Sequence, residues 1–205
     1  MRLPSGLLLV GSGGHCRSVI DVLECAGVPV AGVVCGEHCA PEPVFTYPVL
    51  GKDPDLGALR ERYNEALVTV GQIQTPAIRK SLFTLLTELE FSLPVVVSPT
   101  AMVSRRSEML AGTVVMHQAF VNTNALVGRN CIINTRALVE HDCTIGDHCH
   151  VAVGAVLCGG ASIGPGSFIG AGAVVREGVS IGPGCIIGMG SVVRHDVAEG
   201  ERHVG

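Results

Sequence analysis

The sequence predicts an α/β, Rossmann-like domain over residues 1–95, followed by a left-handed parallel β-helix of hexapeptide repeats over residues 96–205. Three observations predict it. Aliphatic side chains recur every six residues from Val97 to Val193. A β-α-β alternation precedes them. Apolar residues form 47% of the chain, yet aromatics form only 3% with no Trp, and glycine reaches 27 residues. That composition suits a narrow coil packed with small side chains.

Stepping by six from Val97 meets Val103, Met109, Val115, Val121 and so on to Val193: seventeen aliphatic positions without an insertion. Four residues after each lies a second column, from Ala101 to Val197, in which nothing exceeds Val in size. An amphipathic helix repeats near 3.6 and a strand at 2, so neither explains a period of six. Three hexapeptides make one triangular coil of eighteen residues, giving about five and a half coils, each bonded to its neighbours as in other solenoids. Both columns point inward. Cys131, Cys143, Cys149 and Cys185 fall in the small column and read as small buried hydrophobes. Gly128, Gly146, Gly164, Gly170, Gly182 and Gly188 directly follow an aliphatic residue and are expected to supply turn dihedrals.

In the N-terminal segment, Leu7–Val10 reads as a buried strand and Gly11-Ser12-Gly13-Gly14-His15 as a tight turn. A helix is expected over about 16–26, a strand over 28–35, a short helix over 53–64 and a strand over 67–70. Thr75-Pro76 opens a helix to about Glu90. Val95–Val97 is expected as a fourth strand, feeding the coil. The Gly11–Gly14 turn at a helix start is a candidate anion cradle, because backbone N–H groups there favour phosphate. It departs from G-x-G-x-x-G, since Cys16 holds the third glycine position.

The net charge is -4 and no basic patch is visible, so nucleic acid is not an expected partner. No apolar stretch reaches membrane-spanning length. The short run at Leu7–Val10 suits a first strand better than a signal peptide. Nine cysteines without an export signal read as reduced and cytoplasmic. No metal is expected. Cys143, His148, Cys149 and His150 lack a C-x-x-C knuckle, and His117 and His141, twenty-four residues apart, fall on different faces.

The chemistry concentrates in Asn134 to Asp142. His141 lies two residues after Val139, outside both inward columns, and is expected on an exposed coil edge. Asp142 beside it can hold one imidazole nitrogen and leave the other to accept a proton. His150 follows half a coil later. Gly159 comes eighteen residues after His141, one coil above, where its N–H is approachable by an oxyanion. Arg176 and Arg194 stack on one edge, either against phosphates or simply solvated.

Four stretches carry a family resemblance: Gly11–His15, Ile133-Asn134-Thr135, Val139-Glu140-His141-Asp142-Cys143-x-Ile145-Gly146 and His150–Ala155. Over essentially its whole length the chain resembles bacterial sugar acetyltransferases of the NeuD, PglD and PerB type. These are sialic acid O-acetyltransferases and nucleotide-4-amino-sugar N-acetyltransferases. The resemblance implies a homotrimer with active sites between subunits and acetyl-CoA as donor. It implies His141 as general base, Asp142 as its orienting partner and the Gly159 amide on the carbonyl oxygen. Ser12, Gly13, Gly14, His15, Glu37 and Asn134 are implied in acceptor binding. His150 and Gly159 are implied beside the acetyl group, and Gly170, Arg176 and Arg194 are expected around acetyl-CoA as well. Where relatives often carry an acidic pair, this chain reads Val33-Val34-Cys35-Gly36-Glu37, with Glu37 the one acid. The leading expectation is N-acetylation of a UDP- or GDP-linked 4-amino sugar. O-acetylation of sialic acid and a non-catalytic trimeric scaffold are the alternatives.

Overall fold

A computed structural model of the chain describes residues 6–36 and 42–204. Its contacts define two units. One holds the residues through Gly71 together with Ala77–Pro94; the other holds Gln72–Pro76 and everything from Val95.

The first unit is a four-stranded parallel sheet with helices. Strand β1 (Leu7–Val10) lies between β2 (Val30–Cys35) and β4 (Ala66–Val68), and β3 (Val49–Lys52) extends the sheet beyond β2. All four residues of β1 are buried, as expected of a central parallel strand covered on both faces. Helix α1 (Gly14–Cys25) buries Cys16, Val19, Ile20, Val22 and Leu23, an apolar stripe of helical period. Helix α2 (Leu56–Arg60) follows a single 3-10 turn at Asp53–Asp55, and α3 (Ala77–Glu88) buries Arg79, Leu82, Phe83 and Leu86. The Arg79 guanidinium donates from one nitrogen to the carbonyls of Val68 (3.2 Å) and Val70 (2.6 Å), which offsets its burial. Gly11 has φ +116°, and a Cβ there would come within 2.6 Å of Val70 Cγ2, so only glycine fits where β1 turns toward α1.

Two expectations for this unit need correction. The fourth strand is Val49–Lys52, a partly exposed edge segment, whereas Val96–Val97 pairs with Val114–Val115 inside the coil. The helix expected over 53–64 is only a 3-10 turn and the five residues of α2.

The second unit is a left-handed parallel β-helix. Two-residue strands stack into three parallel sheets of five, seven and six strands, and up to the last coil each pairs with the strand eighteen residues on, as in Leu138↔Val156 and Thr144↔Ser162. The aliphatic column is buried from Val115 to Val193, and Val97, Val103 and Met109 pack partly buried at its start. The small column is buried from Thr113 onward.

The glycines after the aliphatic residues serve another purpose than expected. The left-handed dihedrals occur two residues later, at Asn130, His148, Gly166 and Gly184 on one corner, for example. Gly128 is glycine because a Cβ there would come within 2.6 Å of the Asp147 nitrogen in the next coil. Close stacking, not turn conformation, excludes a side chain.

The small column also carries polarity that size alone does not show. One corner holds Thr113, Cys131, Cys149, Ser167 and Cys185, all bearing a hydroxyl or thiol. They donate to the carbonyls of Gly128 (2.7 Å), Gly146 (3.2 Å), Gly164 (3.1 Å), Gly182 (2.9 Å) and Ala198 (2.9 Å). These cysteines are therefore donors as well as small apolar groups.

The last coil is shorter. Val197 pairs with Ile181, and Arg202–His203 with Ile186–Ile187, an offset of sixteen residues in place of eighteen. Val197 thus stacks on the aliphatic column, not the small column where the spacing put it.

Candidate active site

The corner between strands Leu138–Val139 and Thr144–Ile145 is a turn with His141 and Asp142 at its two central positions. Asp142 takes φ +61°, a conformation that aspartate tolerates better than most residues. The turn projects both side chains away from the core: they are 57% and 55% exposed. Nδ1 of His141 lies 2.7 Å from Asp142 Oδ2. A carboxylate only accepts, so Nδ1 carries the proton and, in the neutral ring, Nε2 is the basic nitrogen.

The coil below supplies the next layer. Asn124 occupies the same turn position with φ +59°, and its Nδ2 donates to Asp142 Oδ1 at 2.6 Å. Beside it, Asn122 Nδ2 donates to Glu140 Oε2 (2.6 Å), and the same oxygen accepts the His141 backbone N–H (3.2 Å). Sequence reading missed both asparagines. The signal was available: each lies eighteen residues before an acid of the Glu-His-Asp motif.

The coil above supplies Gly159. A Cβ there would fall 2.7 Å from both Cε1 and Nε2 of His141, so the imidazole lies across the glycine. Gly159 is the first central residue of the turn closed by Ala161 N–H to the Cys158 carbonyl (3.1 Å), and its own N–H meets no backbone acceptor among the described residues. The stack is fixed by Gly160 N–H to the His141 carbonyl (2.9 Å) and Asp142 N–H to the Thr123 carbonyl (3.2 Å).

The charges follow. The hydrogen bond to Asp142 raises His141 above the usual imidazole value, helped by the charges of Asp142 and Glu140 against some desolvation. The Asn124 amide and then the His141 ring hold Asp142 below the usual carboxylate value.

Asn134 and His150 form a separate pair on the seven-stranded sheet. Asn134 Oδ1 accepts the Thr135 N–H (2.8 Å), which turns its amide nitrogen toward His150 Nε2 (3.0 Å). His150 Nδ1 donates to the Gln72 carbonyl (2.6 Å), so the ring is neutral, with Nε2 as acceptor. It is 7% exposed and meets Phe168 edge-on, with centroids 5.2 Å apart.

The remaining expected residues divide. The Gly170 N–H is committed to the Ile187 carbonyl (2.9 Å), and the residue is buried between coils. Arg176 and Arg194 are exposed one coil apart, and Arg176 pairs with Glu177 at 3.0 Å. Gly13 caps α1 in an extended conformation without a side-chain bond; Gly13 and Gly14 are exposed, while Ser12 and His15 are partly so. Glu37 lies outside the described residues. Cys143 donates to the Cys158 carbonyl (3.2 Å), and burial pushes its thiol up to about 11. Cys149 is held well above its ordinary value by its contact with Cys131 and by burial. Both stay protonated near neutrality and are poor nucleophiles. No helix among the described residues is long and apolar enough to cross a membrane.

The chain as a whole matches a recognised group of proteins. The family described as PglD N-terminal domain matches residues 6–86, and the bacterial transferase hexapeptide family (six repeats) matches residues 124–159 and 160–195. Comparison with curated proteins gave no match. Among solved structures, a histidine-to-asparagine variant of perosamine N-acetyltransferase from Caulobacter crescentus, in complex with CoA and GDP-perosamine, is 34% identical. It covers 100% of this chain and 96% of its own, with a TM-score of 0.93. The acetyltransferase domain of PglB from Neisseria gonorrhoeae is 30% identical over 97% of this chain and 96% of its own, with a TM-score of 0.89. WeeI from Acinetobacter baumannii shares the fold at 23% identity over 98% and 97%, with a TM-score of 0.87. The fold defines a hexapeptide-repeat acetyltransferase. The chain belongs to the PglD/PerB-type family of sugar acetyltransferases.

Proposed function

We propose that this protein transfers the acetyl group of acetyl-CoA to the amine of a nucleotide-linked 4-amino sugar, with His141 as general base. The carrying observation is His141 itself: Nδ1 is engaged by Asp142 at 2.7 Å, and the basic Nε2 lies across the Gly159 turn. The perosamine enzyme, similar over the full chain, binds CoA and GDP-perosamine, and a histidine is the residue substituted in its variants.

The amine must lose a proton to become an amide. As its nitrogen attacks the thioester carbonyl, a C–N bond forms and the proton passes to His141 Nε2. Asp142 stabilises the imidazolium. The Gly159 N–H receives the oxyanion. Collapse breaks the C–S bond, and the imidazolium returns the proton to the departing thiolate. Amide and CoA thiol leave, with no covalent enzyme intermediate. Ser12, Gly13, Gly14, His15, Glu37 and Asn134 serve the acceptor; His150, Gly170, Arg176 and Arg194 serve acetyl-CoA. The working unit is a cytoplasmic homotrimer with sites between subunits.

Thiol release from acetyl-CoA tests this reading with GDP-perosamine, a UDP-4-amino sugar and free sialic acid as acceptors. Release with a nucleotide-4-amino sugar, giving an alkali-stable amide, is expected. Release with sialic acid alone, giving an alkali-labile ester, would assign O-transfer. Sedimentation should give a trimer. His141→Ala should remove most turnover while the trimer persists; near-wild-type activity would remove His141 from its role.

A further inference from the structure

We infer that Asn124 is a positioning residue for the proposed base: its amide pins one oxygen of Asp142 so that the other stays directed at His141. The inference rests on His141 being the base.

Three observations carry it. First, the two oxygens of Asp142 are divided, Oδ1 to Asn124 at 2.6 Å and Oδ2 to His141 at 2.7 Å. A carboxylate held from one side only can turn about Cβ–Cγ and release the imidazole; one held on both oxygens cannot. Second, the donor is neutral. A lysine or arginine would share the aspartate's charge, whereas an amide orients the group and leaves that charge to the imidazolium. Third, the side chain is not needed for the turn. The same corner position is glycine two and three coils on, at Gly160 (φ +68°) and Gly178 (φ +68°). The backbone of Asn124 is held independently, its N–H donating to the Arg106 carbonyl at 3.2 Å.

The third point supplies the experiment. Asn124→Gly removes the amide while favouring the left-handed dihedral, so folding is preserved. The His141 ring, followed by NMR in the full-length protein across pH, should titrate lower in this variant, toward the ordinary imidazole value. With acetyl-CoA and GDP-perosamine, kcat should fall about tenfold, the scale of losing a hydrogen bond to a charged group. Both KM values should stay within about twofold, and the acid limb of the pH profile should move down with the ring titration. Asn124→Asp, nearly isosteric but without the donor, should lower kcat at least as much. An unmoved titration with unchanged kcat in Asn124→Gly, while His141→Ala is inactive, overturns this inference alone. A rise in KM with kcat intact assigns Asn124 to substrate binding and also overturns it. Full turnover by His141→Ala overturns both the base and its positioning.

Discussion

Gly159 and His141 stand one coil apart, so close that a single methyl group on Gly159 would lie 2.7 Å from Nε2. Gly159 does not adopt a left-handed φ, so the backbone would accept alanine. The clash falls on the outer end of an exposed ring, which can swing away at little cost to folding. Gly159→Ala is therefore expected to leave the unfolding midpoint near wild type while lowering kcat about a hundredfold, the scale of general-base catalysis. Loss of stability in step with activity would show that the glycine serves the coil rather than the ring.

The raised His141 fixes the sign of the pH dependence. Only the neutral ring accepts a proton, so kcat should rise with pH through a midpoint above the ordinary imidazole value. Asp142→Asn removes the charge and one of the two accepting oxygens, so the Asn124 amide and the His141 Nδ1–H compete for the one that remains. The midpoint should move down and the plateau should drop about tenfold or more. The same pair bears on stability. The folded value of His141 is raised, so its contribution is present below the unfolded value and is lost as pH rises through the folded one. The folded value of Asp142 is lowered, so its contribution is present above the unfolded value and is lost as pH falls through the folded one. Initial rates across pH for the two proteins provide the check.

Ser167 tests the polar corner of the core. Its hydroxyl donates to the Gly182 carbonyl and accepts the Cys185 N–H at 3.0 Å, and the residue is fully buried. Ser167→Ala strands both groups and should cost about 1–3 kcal/mol in chemical denaturation. Ser167→Cys should cost less, because the same column holds thiols at Cys131, Cys149 and Cys185. Equal loss in the two variants would mean that the donor contributes nothing.

Arg176 and Arg194 decide whether their edge meets phosphates. Alanine at either position should raise the acetyl-CoA KM about threefold or more at low salt, with the effect shrinking as salt screens the charge. Unchanged KM values would leave them as solvated side chains, Arg176 with its Glu177 partner.

Much of the coil was legible because a period of six admits one architecture, and the phase from Val97 to Val193 assigned each residue an inward or outward direction. That phase placed His141 outward and Gly159 above it. It did not show Asn124, because the eighteen-residue step was taken forward from His141 to Gly159 and not back from Asp142. Val49–Lys52 escaped notice because an edge strand is partly exposed and here carries Gly51 inside it. The column cysteines are buried as expected, but their donor role was not visible, and the role of Gly128 was misread, for a common reason. Both depend on the distance to the next coil, which no local pattern encodes. The shift at Val197 stayed hidden because Val fits either column.

Asn124, Asp142 and Gly159 come from three successive coils, and this gives different parts of the solenoid different freedom to evolve. Duplicating or deleting eighteen residues restores the backbone pairings wherever the coils repeat at eighteen. Beyond Gly178 such a change leaves the stack of Asn124, Asp142 and Gly159 intact. Between Asn124 and Gly159 it would leave a well-formed coil whose His141 faces the wrong neighbours. With His141 as the proposed base, folding would tolerate a change in coil number there and the chemistry would not, so selection for activity alone would hold the count of coils in that stretch.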